Sequence, residues 1–144
     1  MAELTLTDLS PTPKWRVFSG EEAVRPGTSS GSGDTLVWSV SPGEWTVLGA
    51  QPDDSVDLTH VRAMFRLTGG DAVTLMNRVC ALDFDEGMFP NGAAARTLFA
   101  GVATEIVRDD VGADPSYLLV PSRSYSTYVL DVILDAGAEL GLTA

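Results

Sequence analysis

Few residues in this chain combine a reactive type with a useful spacing. His60 is its single histidine and Cys80 its single cysteine. Nucleophilic catalysis needs a nucleophile and a base within hydrogen-bond reach, and usually a third group that orients the base. His60 sits in DLTHVR and Cys80 in NRVCAL, with no nucleophile-elbow glycines beside either. Both read as structural. A zinc site would have to be completed by carboxylates, without a ligand pair at close spacing. The run Asp83-Phe84-Asp85-Glu86-Gly87 opens like a calcium loop, which requires glycine at its sixth position and glutamate at its twelfth. Those positions hold Met88 and Ala94, so a solvated acidic turn is expected. Gly69-Gly70 precedes a helical pattern, but the dinucleotide fingerprint and the P-loop lysine are both absent, and the pair reads as a turn. Trp15, Trp38 and Trp45 offer faces on which a pterin or a base could stack. Two of them flank one hairpin, where core or cross-strand packing is the usual use of an aromatic ring. No catalytic residue and no metal ligand is assigned.

The elements that would position these residues follow from periodicity. Trp15–Phe18 reads as a short strand. Residues 20–35, GEEAVRPGTSSGSGDT, hold little to bury and read as a flexible loop. Thr35–Val40 and Glu44–Leu48 form a hairpin across Ser41-Pro42-Gly43. Val56–Leu67 alternates apolar and polar residues and is read as one strand. Ala72, Leu75, Met76 and Val79 share a helical face, with Asp71 favourably placed at its start. Arg96–Ala100 and Val102–Val107 read as strand, with Gly101 as a bulge or close-approach point. Asp109–Pro115 makes a hairpin loop and Ser116–Val120 returns. Ser122 is a plausible N-cap for a last helix in which Tyr125, Tyr128, Val129, Val132 and Ala136 form a stripe. Gly137 or Gly141 would end it. This order predicts an α+β fold, with a mostly antiparallel sheet and two main helices. The expected division is residues 1–34, a strand and the Gly/Ser loop, and 35–144, one α+β domain.

Composition narrows the partners. The 144 residues are 44% hydrophobic and 20% charged, as in a soluble globular chain. No apolar run approaches a membrane span, and the first residues lack the basic and apolar regions of a signal peptide. Twenty acidic against nine basic residues give a formal charge of −11, which repels nucleic acid and anionic membrane. A lone cysteine fits a reducing, cytoplasmic setting.

Several short motifs, taken in order, resemble one family. Asp57-Leu-Thr-His60-Val-Arg62-Ala-Met-Phe65-Arg66-Leu67-Thr-Gly69 is similar to the strand that opens the shared segment of the sarcosine oxidase gamma-subunit family. Cys80-Ala-Leu82-Asp83 resembles its Cys-x-Leu-Asp step, followed by Phe89-Pro90-x-Gly92 and Arg96-Thr97-Leu98. Tyr117 through Tyr125 looks like its closing stretch, and Leu36-Val-Trp38 with Pro42-Gly43-Glu44-Trp45 its leading hairpin. The resemblance spans about residues 35–142.

It implies an aminomethyltransferase-like, folate-binding-type fold, here shortened around Trp15 and between Trp45 and Asp57. It also implies a non-catalytic subunit beside alpha, beta and delta-type partners. Those partners would hold FAD, FMN, NAD, tetrahydrofolate and zinc, and the complex would oxidatively demethylate sarcosine or a related methylamine. Aminomethyltransferases carry an Asp-Asp pair near the positions of Val102 and Ala103, neither of which can serve as acid or base. The alternative is a stand-alone tetrahydrofolate or one-carbon module, with Trp38, Trp45 and Phe65 stacking and Arg66 meeting the glutamate tail. A related complex acting on another methylated substrate is the third option.

Overall fold

The computed structural model describes residues 4–18, 23–32 and 34–142. In chain order it places β1 (Thr5–Asp8), β2 (Lys14–Val17), β3 (Thr28–Ser32), β4 (Thr35–Ser41), β5 (Glu44–Leu48), β6 (Ser55–Asp57) and β7 (Phe65–Thr68). Helix α1 (Ala72–Val79) follows, then β8 (Ala94–Phe99), β9 (Val102–Arg108), β10 (Ser116–Pro121) and helix α2 (Ser126–Gly137). The strands make two antiparallel five-stranded sheets, β1-β7-β10-β9-β8 and β3-β4-β5-β2-β6. The fold is α+β as expected, with two sheets where one was anticipated. No helix among the described residues is long and apolar enough to cross a membrane.

Strand alternation divides the buried residues between the faces. On one face of the first sheet, Leu6, Phe65, Leu67, Ile106, Tyr117 and Leu119 share a core with Leu75 and Met76 of α1 and with Val129 and Ile133 of α2. On its other face Val107, Leu118, Val120 and Ala94 meet Leu36 and Trp38 of the second sheet, with Met64 between them. The far face of the second sheet carries a smaller cluster of Val17, Trp45 and Val47, against which Val24 and Val37 pack. The molecule is thus layered as helices, sheet, sheet.

The pairing corrects several expectations. β1 to β3 all precede residue 35, and they pair within both sheets. The Gly/Ser stretch is not all loop: Thr28–Ser32 pairs with β4, and Ser29 N–H donates to Gly92 O at 2.7 Å. An edge strand needs only backbone hydrogen bonds, which serine and threonine do not hinder. Residues 20–22 and 33 of that stretch lie outside the described residues.

The expected strand Val56–Leu67 is two strands in different sheets, β6 and β7. Asp57 Oδ1 accepts the Thr59 N–H at 2.8 Å, and the N–H groups of Val61 and Arg62 both donate to Leu58 O. That side-chain-to-backbone turn breaks the strand while leaving the alternation intact in the sequence. Gly101 is no bulge. Phe99 pairs with Val102, and Ala100 (φ 49°) and Gly101 (φ 86°) form the two-residue loop between them, a combination that suits a primed hairpin turn.

The last helix starts later than expected. Residues Arg123–Tyr125 form a 3-10 turn, and Ser122 Oγ lies 3.1 Å from Ser124 Oγ instead of capping. The extra turn shifts the helical phase: Val129, Ile133 and Gly137 are buried, whereas Tyr125 and Tyr128 are half exposed. Gly137 does close α2, and Gly141 (φ 76°) follows in left-handed conformation.

Candidate functional site

The most concentrated chemistry lies between the two sheets. β9 alternates, so Glu105 and Val107 face the second sheet while Ile106 faces the helices. Glu105 is 1% exposed, and a lone carboxylate there would be very costly. Its Oε2 instead receives Arg16 Nη2 at 2.6 Å and Arg96 Nη2 at 3.4 Å, with Arg62 Nη2 at 3.9 Å. Its Oε1 accepts the Trp38 indole N–H at 3.0 Å. Glu44 completes the group, 3.2 Å from Arg16 Nη1 and 3.8 Å from Arg96 Nη2. Arg16 Nε donates to Thr46 Oγ1 at 3.0 Å.

Burial pushes the Glu105 carboxyl upward, but the Arg16 charge, the Trp38 hydrogen bond and the Arg62 charge outweigh it and hold the group below the ordinary glutamate value. Three arginines are thereby balanced against two carboxylates. Such an arrangement fixes the stacking and angle of the sheets. Its carboxylates are occupied by cations, which makes it poor acid–base machinery.

Arg62 connects this network to a cavity of about 350 Å³. The cavity opens between the turn that separates β6 from β7 and the start of α2. Its walls include Arg62, Arg123, His60, Thr59 and Ser126, and Phe65 and Ala63 supply apolar surface. A second cavity of about 230 Å³ lies beside Arg66, Asp109, Leu36 and Leu48.

The four candidates for cofactor binding are not brought together. Trp38 is fully buried in the inter-sheet core, and Trp45 lies in the cluster on the far face of the second sheet. Phe65 packs in the helix-covered core and reaches the larger cavity. Arg66 is held by Asp109 Oδ2 at 3.0 Å and Ser116 Oγ at 2.8 Å, and it borders the smaller cavity. Trp15, half-buried, donates its indole N–H to Gly49 O at 3.0 Å.

Other sequence features resolve locally. His60 is exposed and Cys80 half-buried, and no hydrogen bond joins them. Burial pushes the Cys80 thiol up to about 12. Asp83 Oδ1 accepts the Asp85 N–H at 2.9 Å and Glu86 pairs with Arg108, as in a turn tied to its own surroundings. No group of three potential metal-binding side chains occurs among the described residues. Gly69 (φ 142°) accepts the Ala72 N–H and so sets the start of α1.

Sequence reasoning missed Glu105, Arg16, Arg96 and the buried Arg108. The available signal was a charge inside an otherwise apolar strand, as in VATEIVR. A charge that alternation directs inward needs partners.

No protein-family model matches the chain, and no curated protein does. Among solved structures, a chain of the heterotetrameric sarcosine oxidase from Corynebacterium sp. U-96, in complex with pyrrole 2-carboxylate, is similar at a TM-score of 0.82. The match covers 98% of this chain and 87% of that one, at 17% sequence identity. The two share a fold.

Proposed function

We propose that this chain is a non-catalytic, gamma-type subunit of a heteromeric sarcosine oxidase-like complex. The observation that carries the reading is the fold likeness across 98% of the chain to a component of such a heterotetramer. The order of the motifs from Leu36 to Leu142 agrees with it. In this reading, alpha, beta and delta-type partners bind FAD, FMN, NAD, tetrahydrofolate and zinc, and the complex oxidises N-methyl amines in the cytoplasm. None of those cofactors is assigned to residues of this chain.

The chain's own chemistry supports a structural role. Its most buried acid, Glu105, is committed to three arginines and an indole. Phe18, Val56 and Leu98 are each at least half exposed. Val56 is paired with Arg16, and Leu98 lies two residues from Arg96 on the same face of β8. Apolar surface around a fixed charged centre suits a protein partner.

The test is co-expression with the neighbouring genes, followed by size-exclusion chromatography monitored at flavin and protein wavelengths. The chain is expected to co-elute with a flavoprotein, and the complex to turn over sarcosine or another methylamine. A chain that stays monomeric and never accompanies a flavoprotein removes the proposal. Comparing sarcosine with other N-methyl amines and methyl ethers on the purified complex then sets the substrate.

A further inference from the structure

The larger cavity carries two arginines, Arg62 and Arg123, on one wall. The chain carries twenty acidic residues against nine basic ones, and most of its arginines are paired with carboxylates. Arg16, Arg66, Arg78, Arg96 and Arg108 each have a carboxylate within 4 Å. Lys14, Arg25 and Arg123 have none among the described residues; of these only Arg123 lies on the cavity wall, and its guanidinium makes no hydrogen bond there.

Arg62, on the same wall, has the weakest share of Glu105. It stands at 3.9 Å, against 2.6 Å for Arg16 and 3.4 Å for Arg96. Burial also depresses the Arg62 guanidinium, opposed by the charge of Glu105 and reinforced by the charges of Arg16 and Arg96. An additional anion would relieve this crowding of positive charge. One acid, Asp8, also lines the cavity, and its Oδ1 accepts the Ser10 N–H at 2.9 Å.

The remaining surface is suited to an apolar body. Phe65 and Ala63, both buried core residues, reach the cavity beside Pro11. Thr59 and Ser126 add hydroxyl groups. A volume of about 350 Å³ falls within the range of small-ligand pockets. The Arg123 guanidinium offers planar donors matched to a carboxylate, and Arg62, whose Nη1 donates to Val120 O at 3.4 Å, adds positive charge.

We propose that this cavity binds a small monocarboxylate with a compact apolar body, its charge met by Arg62 and Arg123 and its body by Phe65 and Ala63. The site is distinct from the Trp38, Trp45, Phe65 and Arg66 set considered from sequence, with which it shares only Phe65. It stands whether or not the chain belongs to a larger complex.

The probe is benzoate, with benzamide as its uncharged counterpart, titrated into the ¹⁵N-labelled 144-residue chain and followed by amide chemical shifts. Benzoate is expected to shift the amides of residues 59–65 and 122–126, with benzamide at least about tenfold weaker, the scale of one lost charge-assisted contact. Arg123→Gln should weaken benzoate by a similar factor and leave benzamide unchanged. Arg123 is exposed, and a dispersed spectrum for the variant confirms its fold. The proposal is overturned by no localised shifts up to about 20 mM benzoate, a concentration covering millimolar affinity. Equal binding of benzamide, or undiminished benzoate binding in Arg123→Gln, overturns it as well.

Discussion

Replacing Glu105 by glutamine removes one negative charge from the centre of the inter-sheet network and changes the shape of the side chain very little. In the native protein its Oε2 lies 2.6 Å from Arg16 Nη2 and 3.4 Å from Arg96 Nη2, and the Glu105 side chain is 1% exposed. Removing one partner of a buried ion pair typically costs about 3–5 kcal/mol, because the remaining charge is stranded. Glu44 still faces Arg16 and Arg96, and an amide oxygen can still accept the Trp38 N–H. The loss should therefore sit near the lower end, about 3 kcal/mol.

Glu105→Ala also strips Trp38 of its acceptor. Leaving a buried donor unsatisfied adds about 1–3 kcal/mol, so this variant should lose about 5 kcal/mol. At this chain length the milder change corresponds to a Tm lower by about 10 °C. Urea unfolding followed by tryptophan fluorescence reads both variants, and Trp38 itself reports the network. The dependence on pH gives an independent check. The Glu105 carboxyl lies below its ordinary value in the fold: burial raises it, and the Arg16 charge, the Trp38 hydrogen bond and the Arg62 charge outweigh burial. Its stabilisation is thus fully present above the unfolded value of about 4.3 and is lost as pH falls through the folded one. The gap between wild type and Glu105→Gln should stay constant near neutral pH and close in acid. A glutamine variant within about 1 kcal/mol of wild type at pH 7, or a gap that does not narrow in acid, would refute the reasoning.

Other sites give sharper local tests. A Cβ on Gly137 would stand 2.7 Å from Leu142 Cδ2 and 2.8 Å from its Cβ. Gly137→Ala should destabilise by about 1 kcal/mol net of its better helix propensity, read in a thermal melt. Ala100, at φ 49° in the β8–β9 turn, should gain about 0.5–1 kcal/mol on replacement by asparagine, which accepts that conformation more readily. The Cys80 thiol, pushed up to about 12 by burial, should react slowly with a thiol-exchange reagent at pH 8 and at full stoichiometry in denaturant; fast reaction in the native chain would contradict its placement. Arg108→Gln removes a 2% exposed cation that holds Asp110 and Glu86, with an expected loss of about 3 kcal/mol in urea unfolding.

Local pattern was enough for the elements whose formation depends on neighbours in the chain. The Pro42-Gly43 hairpin, helix α1 and the strand Ser116–Pro121 stand close to where periodicity and turn residues put them. The same information misjudged Thr28–Ser32. That strand is selected by backbone pairing to β4 and by contacts with Gly92 and Ala93, and no apolar pattern marks it. It also ran β6 and β7 together, because the Asp57–Thr59 turn leaves their alternation unchanged while sending them to different sheets.

The sequence by itself determined the α+β composition and the net charge of −11, since these depend on residue types and short spacings. Only the tertiary structure decided what the charged residues do. Arg16 and Glu105 are 89 positions apart, and nothing local to either announces the other. Their meeting requires β2 to enter one sheet, β9 to enter the other, and the two sheets to stack with those faces inward. The cavity walled by Arg62 and Arg123 is likewise made by a turn and a helix start that no periodicity connects. Burial turns a carboxylate on an apolar strand into a fixed ion network, and burial is a property of the packed chain.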